Sequence, residues 1–548
     1  MFAQDRDRLL TNLAQHALSR QLHLRQVLPH LVLEEYTFEL VKAETPNFLV
    51  LLTDTQPTNF LGCYAGADRG TPHLDGLAAR GTVFMRAYCA SPLCTPSRAA
   101  FHSGQTPTRA GAYTNSLSLG QSVRTMGQIF RDAGYRCGHI GKWHLDGHDY
   151  FGSGECPDGW EDAYWYDGRR YLLDLTPTQV ETWRRLSPYT SQVFREAGIT
   201  AEFTWANRVS NKALRFLDDQ KSEQRPYLLV CSYDEPHHPF FCPPEYIEKY
   251  EEPSAGWPIG GSANDSLEGK PEFQKDWADG PKGSNFPEGV YHFPAMMGCN
   301  EYLDHEIGRV LNAAQDLSEK TGKPTWIIHA SDHGDHMGSH GLSNKGGTAY
   351  EANARVPLIV VRPGCAPAIQ ESVVSLMDVL PTLLEAAGIE IPAALDGASF
   401  LAQVGTEEID AERQAVVEYT RYELGHDGFG GLLPMRALVR GPWKLVLNGL
   451  DTDELYNLDR DPHELQNLID DADASSLRDQ LHDALINWMY EHEDPWRGSM
   501  WEKRAWRDVR RDYWKAPMRP VRLNGVQPLY RDYDTGLPTR GVGIQYED

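Results

Sequence analysis

The sequence contains no apolar run approaching the roughly 20 residues that a membrane-spanning helix needs. Its opening, Met1-Phe2-Ala3-Gln4-Asp5-Arg6-Asp7-Arg8, lacks the apolar centre of a signal peptide. These absences predict a cytoplasmic protein with no membrane partner. An excess of positive charge is missing too: 52 basic residues stand against 77 acidic ones, a formal net charge of -25. Nucleic acid is thereby disfavoured as a partner, because binding phosphate backbones needs a basic stripe. An anionic substrate must be met by a local cationic pocket. Close cysteine pairs are also absent. The nine cysteines are scattered, which excludes a disulfide framework and a paired Cys-x-x-Cys zinc site. The thiols are expected to be reduced, with one of them special.

What is present is an ordinary globular balance of 41% hydrophobic and 24% charged residues over 548 positions, enough for one large domain with a smaller partner and extensions. Residues 1–45 place Leu10, Leu13, Ala17 and Leu18 at helical spacing and predict an N-terminal helical extension that packs on the body or on a second subunit. Four short apolar runs then share one grammar, each leading into polar residues. Asn47 to Thr53 leads into Asp54, and Tyr135 to Ile140 into Gly141-Lys142-Trp143-His144. Tyr227 to Cys231 leads into Pro236-His237-His238-Pro239, and Trp326 to Ile328 into Asp332-His333. They read as buried parallel strands whose carboxyl ends build a site.

Helical candidates between them, Thr71 to Arg80 and Val374 to Ala387, complete an alternating pattern over 46–405. From 406 to 500 the texture changes to strands such as Trp443 to Leu447 and a helix from Ser475 to Tyr490. The fold class is α/β: a large mixed, mainly parallel sheet flanked by helices, with a smaller C-terminal α+β subdomain. Residues 501–548 form a tail. Trp488, Trp496, Trp501, Trp506 and Trp514, interleaved with Arg, have the composition of a single-strand nucleic-acid platform. The acidity of the rest favours a tail clamped on the body or exchanged between subunits of a homo-oligomer.

The chemistry gathers at Cys94-Thr95-Pro96-Ser97-Arg98. Thr95 can cap a helix, Pro96 suits its first turn, and Gly104 can stop it. Cys94 then stands at a helix N-terminus, where free N–H groups favour an anion or a nucleophile, with Arg98 one turn on. Asp54, Asp332 and His333 predict a site of mainly hard oxygen ligands, suited to calcium or magnesium and poorly served by a thiolate. His329, His333, His336 and His340 invite a zinc reading, but the Glu of the zinc-protease motif is absent and Asp332 and Asp335 dominate.

Cys94-Thr95-Pro96-Ser97-Arg98 resembles the Cys-x-Pro-Ser-Arg signature of the type I sulfatase family, which has an alkaline phosphatase-like fold. The resemblance continues in order through Leu61-Gly62-Cys63-Tyr64, Gly141-Lys142-Trp143-His144-Leu145, Ser331-Asp332-His333-Gly334, Lys345-Gly346 with Glu351, and Arg355-Val356-Pro357-Leu358. It ends at Glu454-Leu455-Tyr456-Asn457-Leu458 and Asp461-Pro462. It implies that a maturation enzyme converts Cys94 to formylglycine (3-oxoalanine). It also implies that Asp54, residue 94, Asp332 and His333 hold one divalent ion, calcium with magnesium or manganese as alternatives. Lys142 and Lys345 would bind sulfate oxygens, His144 would hold and deprotonate the formylglycine hydrate, and His237 would protonate the leaving oxygen. Arg98 completes the motif.

One departure is visible. Many relatives carry Asp-Asp after the first strand, whereas this chain has Asp54-Thr55-Gln56, so the oxygen of Thr55 or Gln56 is expected to substitute. The activity implied is hydrolysis of a sulfate monoester, with a carbohydrate sulfate first and an aryl or alkyl sulfate such as choline sulfate as alternatives. Tyr150, Trp160, Trp165, Trp183, Trp257 and Trp277 are candidates for stacking on sugar rings. The competing readings are a phosphonate monoester or phosphodiester hydrolase, which generally lacks the Lys-x-His element present here as Lys142 and His144, and a silent sulfated-sugar-binding protein.

Overall fold

The computed structural model describes residues 45–251, 261–280, 293–423 and 432–507, together with the backbone of 530–531 and 538–539. The helices expected before residue 45, as well as Trp257 and Trp514, lie outside the described residues. Nine strands build the first part of the chain: β1 Asn47–Thr53, β2 Thr82–Phe84, β3 Ala87–Tyr88, β4 Arg136–Gly141, β5 Tyr227–Ser232, β6 Thr325–Ser331, β7 Leu358–Val361, β8 Ala368–Gln370 and β9 Val374–Ser375. Seven of them form one sheet in the order β4-β5-β1-β6-β7-β2-β8. β4, β5, β1 and β6 run parallel, while β7 is antiparallel to both β6 and β2. The sheet is therefore mixed and mainly parallel, as its apolar runs predict.

Both faces of this sheet are covered, and β1, β4, β5 and β6 are buried at every position. Phe48, Val50 and Leu52 point into one core; Leu49 and Leu51 point into the other. The first core is closed by the helix Cys94–Ser103, through Ala99 and Phe101, and by the helix Val379–Ala386, through Leu380 and Leu383. The second is closed by the long helices Trp205–Gln220 and Phe293–Thr321, which bring Val209, Phe216, Ile307 and Val310. The expected helix from Val374 to Ala387 is shorter than its pattern. Val374 and Ser375 pair with Ala87 and Tyr88, and Ser375 caps the turn that follows. The helix expected over Thr71 to Arg80 is Pro72–Ala78.

A second sheet, antiparallel, comprises β10 Gln414–Tyr419, β11 Met435–Arg440, β12 Trp443–Asn448 and β13 Glu454–Asn457. The helix Ser475–Glu491 packs on it through a third core containing Leu438, Leu445, Leu455, Leu485 and Met489. Trp501 is fully buried there, and the Trp506 indole N–H donates to Asp453 at 2.8 Å. Arg504 and Arg507 are tied to Asp453 and Asp483. The described start of the tail is thus clamped on the body by aromatic burial and ion pairs. The small sheet lies within the same compact unit, Thr45–Asp548, as the large one.

The strand ends are crowded. Gly141 closes β4 with φ +114°, and a Cβ there would lie 1.8 Å from the Ser232 carbonyl oxygen of β5. Gly141→Ala combines a left-handed backbone with a backbone clash. It is expected to lower stability by at least about 1–3 kcal/mol, the range for such strain, as measured by urea unfolding.

Candidate active site

The order of the four parallel strands sets the site. Neighbours β4, β5, β1 and β6 end side by side and deliver Lys142, Asp234, Asp54 and Asp332 just past their last residues. Ser331 of β6 aligns with Thr53 of β1, so the carboxylates that follow them face each other. Thr55 turns the chain sharply at φ 59° and donates its N–H to Asp332 Oδ1 at 3.2 Å. Above this row stands the N-terminus of the helix Cys94–Ser103, which Gly104 ends in the left-handed conformation. Thr95 does not cap that helix as expected. It lies inside the first turn, and its hydroxyl donates to the His144 carbonyl at 3.1 Å, while its N–H donates to Asn115 Oδ1.

Arg98, one turn along and fully buried, joins the strand ends. Its Nη2 donates to Asp54 Oδ2 and its Nε to Asp332 Oδ2, both at 2.9 Å. Its Nη1 donates to the Lys142 carbonyl and to Ser232 Oγ. Lys142 Nζ donates to Asp234 Oδ1 at 2.9 Å and pairs with Asp54 Oδ2 at 2.8 Å. The Oδ2 atoms are thus held from behind, and the Oδ1 atoms face inward.

There they meet Cys94 and His333. The Cys94 thiol lies 3.8 Å from Asp54 Oδ1, 3.3 Å from His333 Nε2 and 2.9 Å from Lys345 Nζ. His333 Nδ1 lies 2.7 Å from the Gly334 carbonyl, which can only accept, so Nδ1 carries the proton and the Nε2 lone pair is turned toward the carboxylates. Asp54, Cys94, Asp332 and His333 are all buried, and their ligating atoms lie within 4.8 Å of one another. This donor set fits one metal ion. Thr55 Oγ1 donates to Asp54 Oδ1 at 2.7 Å and stays at its edge. Gln56 does not substitute for the missing carboxylate: its amide donates to Asn300 and its oxygen accepts from Thr53, so it is used up in the wall.

The electrostatics are those of a strained cluster. Burial and Asp54 push the Cys94 thiol up, but Lys345, Lys142 and His333 outweigh them and hold it well below the usual thiol range. Burial also opposes the Asp54 charge, and Lys142, Lys345, His237 and Arg98 overcome it, so this carboxyl ionises well below the ordinary value. Burial and the Asp54 charge push Asp332 up to about 7, despite His333 and Arg98. Two carboxylates this close repel each other, and a divalent cation held by Asp54, Asp332 and their neighbours would relieve them.

The remaining predicted residues fall around this centre. His144 is held at φ 59° beside the centre, and burial lowers its pKa while Cys94 opposes that shift. His237 is half-buried, with Nδ1 3.0 Å from the Tyr150 hydroxyl. Of the four histidines that invited a zinc reading, only His333 enters the site. His329 is buried in β6, His336 meets Thr348, and His340 stacks on Tyr350 at 3.7 Å and bonds Asp265. Glu351 of the Lys-Gly motif pairs with Lys444 of the small sheet at 2.8 Å, a structural tie. Trp160 and Trp165 are buried around His139 and cannot stack on a ligand. Asp234, Asn115 and Ser232 were missed by sequence reasoning. Asp234 had a legible signal, since it follows a strand as Asp54 does.

With this geometry in view, the comparisons place the chain. Residues 46–389 match the family model described as Sulfatase, and residues 338–491 match the model described as N-sulphoglucosamine sulphohydrolase, C-terminal. The chain belongs to the sulfatase family and is a sulfatase hydrolase. It is similar to the uncharacterized sulfatase YidJ of Escherichia coli, with 44% identity over 91% of this chain and 98% of that one. A choline-sulfatase of Rhizobium meliloti is 29% identical over 79% of this chain and 86% of its own. Among solved structures, one crystallised with D-glucosamine-2-N,6-O-disulfate superposes with a TM-score of 0.63 at 19% identity, covering 83% of this chain and 99% of that one, a likeness of fold.

Two outcomes follow from the burial. Arg98→Ala leaves Asp54 and Asp332 buried without their shared cation and is expected to cost about 3–5 kcal/mol of stability, read by urea unfolding. Glu235 turns away from the centre, with Oε1 accepting the Ala206 N–H, and burial beside Asp234 pushes it up to about 8 from 4.5. Its folded form keeps a proton that the unfolded chain releases. Its contribution to stability is therefore full below pH 4.5 and is lost as pH rises toward 8. Glu235→Gln is expected to flatten that decline, so that the variant gains on the wild type at pH 8 and not at pH 4.5 in parallel melting curves.

Proposed function

We propose that the protein hydrolyses the sulfate monoester of a carbohydrate, using formylglycine derived from Cys94 and one divalent ion, calcium, held by Asp54, residue 94, Asp332 and His333. The observation that carries the reading is the placement of Lys345 Nζ 2.9 Å from Cys94 Sγ, with Lys142, His144 and His333 around the same atom. A nucleophile ringed by cations and imidazoles suits a monoanionic ester. As a hydrate, residue 94 supplies a geminal diol, one hydroxyl to attack sulfur and a second to expel sulfate afterwards. The ion supplies Lewis-acid polarisation of the bound oxygens.

The chain's own groups do the rest. His144 takes the proton of the attacking hydroxyl at residue 94. Lys345 and Lys142 hold sulfate oxygens as charge moves onto the leaving oxygen, electrostatic help of the kind worth about 3 kcal/mol per donor in other enzymes. His237 gives a proton to that oxygen, so an alcohol leaves instead of an alkoxide. Supporting a saccharide are the match of residues 338–491 to the N-sulphoglucosamine sulphohydrolase C-terminal model and the fold shared with a structure holding a glucosamine disulfate. All nine cysteines are free, in keeping with a reducing, cytoplasmic setting, and no described helix is long and apolar enough to cross a membrane. We read the chain as four parts: an N-terminal extension over 1–45, a catalytic domain over 46–405, an α+β subdomain over 406–500 and a tail over 501–548.

Mass spectrometry of the Cys94 peptide, from a host able to install formylglycine, is expected to show a loss of about 18 Da, the change from thiol to aldehyde. Turnover of a chromogenic aryl sulfate should fall on chelation and return with calcium. Unmodified Cys94 without turnover would transfer the reading to a silent sulfated-sugar binder. Equal proficiency on a phosphonate monoester, with poor turnover of every sulfate, would transfer it to phosphonate hydrolysis.

A further inference from the structure

Tyr150 touches three groups of the mechanism at once. Its ring faces Lys142 Nζ at 4.0 Å from the centroid, and it packs on the His237 and His144 rings at centroid distances of 5.3 and 5.6 Å. With the lysine over its ring, it is poorly placed to stack on a sugar. Its hydroxyl bridges Asp234 Oδ1 and His237 Nδ1. We propose that Tyr150 is a positioning residue for the proton donor of the reaction. On this view its hydroxyl, anchored by Asp234, joins the His238 carbonyl in holding the Nδ1 proton of His237 and so aims Nε2 at the leaving oxygen. The proposal rests on the assignment of His237 as that donor.

The hydrogen bonds settle the tautomer. His237 Nδ1 lies 2.6 Å from the His238 carbonyl oxygen, which can only accept, so Nδ1 carries a proton. The single proton of Tyr150 goes to Asp234, which also accepts from Lys142. The tyrosine oxygen therefore presents a lone pair to the same Nδ1–H at 3.0 Å. Nδ1–H is held by two acceptors, and Nε2 is left as the only nitrogen that can exchange a proton with substrate. When Nε2 is protonated the ring is a cation, and the Tyr150 oxygen backed by the Asp234 carboxylate stabilises it. Nε2 takes up a proton from solvent before the step; as it hands that proton to the breaking ester oxygen, the alcohol departs and the ring returns to the neutral Nδ1–H form.

The loop is built to hold this side chain. Asp146 accepts the N–H groups of His148 and Ser153 at 3.2 and 2.7 Å, bracing both sides of Tyr150, and Asp149 accepts the Phe151 N–H and pairs with Arg169. A chain of contacts then runs from Asp54 through Lys142, Asp234 and Tyr150 to His237. It couples the carboxylate at the nucleophile to the group that serves the leaving oxygen.

The test compares the wild type, Tyr150→Phe, His237→Ala and the double variant, each matured and calcium-loaded, on aryl sulfates whose phenols run from 4-nitrophenol to unsubstituted phenol. A positioned acid contributes roughly 10²–10⁴-fold where the leaving group needs a proton. Tyr150→Phe is expected to lower kcat about 10- to 100-fold on phenyl sulfate, to stay within about threefold on the nitrophenyl ester, and to leave KM nearly unchanged. The double variant should be no slower than His237→Ala. A uniform loss across the series, or an effect confined to KM, overturns the proposal. An unchanged leaving-group dependence in His237→Ala overturns the acid assignment itself, and the proposal with it. Nitrogen-15 NMR of labelled histidine gives a second reading: His237 should be the Nδ1–H tautomer in the wild type, and an Nε2–H form would sink the idea.

Discussion

Arg98 lies wholly inside the protein, yet its donors reach groups carried by four segments: Asp54 after β1, the Lys142 carbonyl after β4, Ser232 at the end of β5 and Asp332 after β6. A guanidinium can do this because it presents several N–H groups in one rigid plane and stays charged at any pH the protein meets. It orients both carboxylates through their Oδ2 atoms and leaves the Oδ1 atoms facing one point. Remove it, and the strand ends lose their common fastening while two acids remain in the dark. The geometry at Cys94 depends on that single buried cation.

The surrounding elements explain how such a costly arrangement is tolerated. Residues of β1 alternate between two dry cores, so the strand ends are fixed by packing as well as by their polar contacts. Backbone in left-handed conformations at Thr55 and His144 then aims their side chains, at a strain the rigid sheet underwrites, while Gly141 adopts its positive φ freely. Charge follows the same logic. An acidic chain, with a net charge of -25, concentrates Lys142, Lys345 and Arg98 at one buried place, where low polarity amplifies their effect on an anion. The small antiparallel sheet is joined to this centre through Lys444, which bridges Glu351 and Glu464.

The sequence by itself determined the class of fold, because four short, largely apolar runs leading into polar residues are what strands buried on both faces require. It also singled out candidate residues for the chemistry, since Cys94, Arg98, Lys142, His144, Asp332 and Lys345 stand within motifs whose order is readable along the chain. Only the tertiary structure decided what those residues touch. Which histidine of the His329 to His340 group enters the centre, that Gln56 is engaged in the wall, that Trp160 and Trp165 are buried, and that Asp234 and Tyr150 stand behind Lys142 and His237 all depend on strand order and loop return. Those contacts join positions as far apart as Asp54 and Asp332 or Cys94 and Lys345. Local pattern has no access to such pairings, because they are fixed by which strands lie side by side and not by neighbours along the chain.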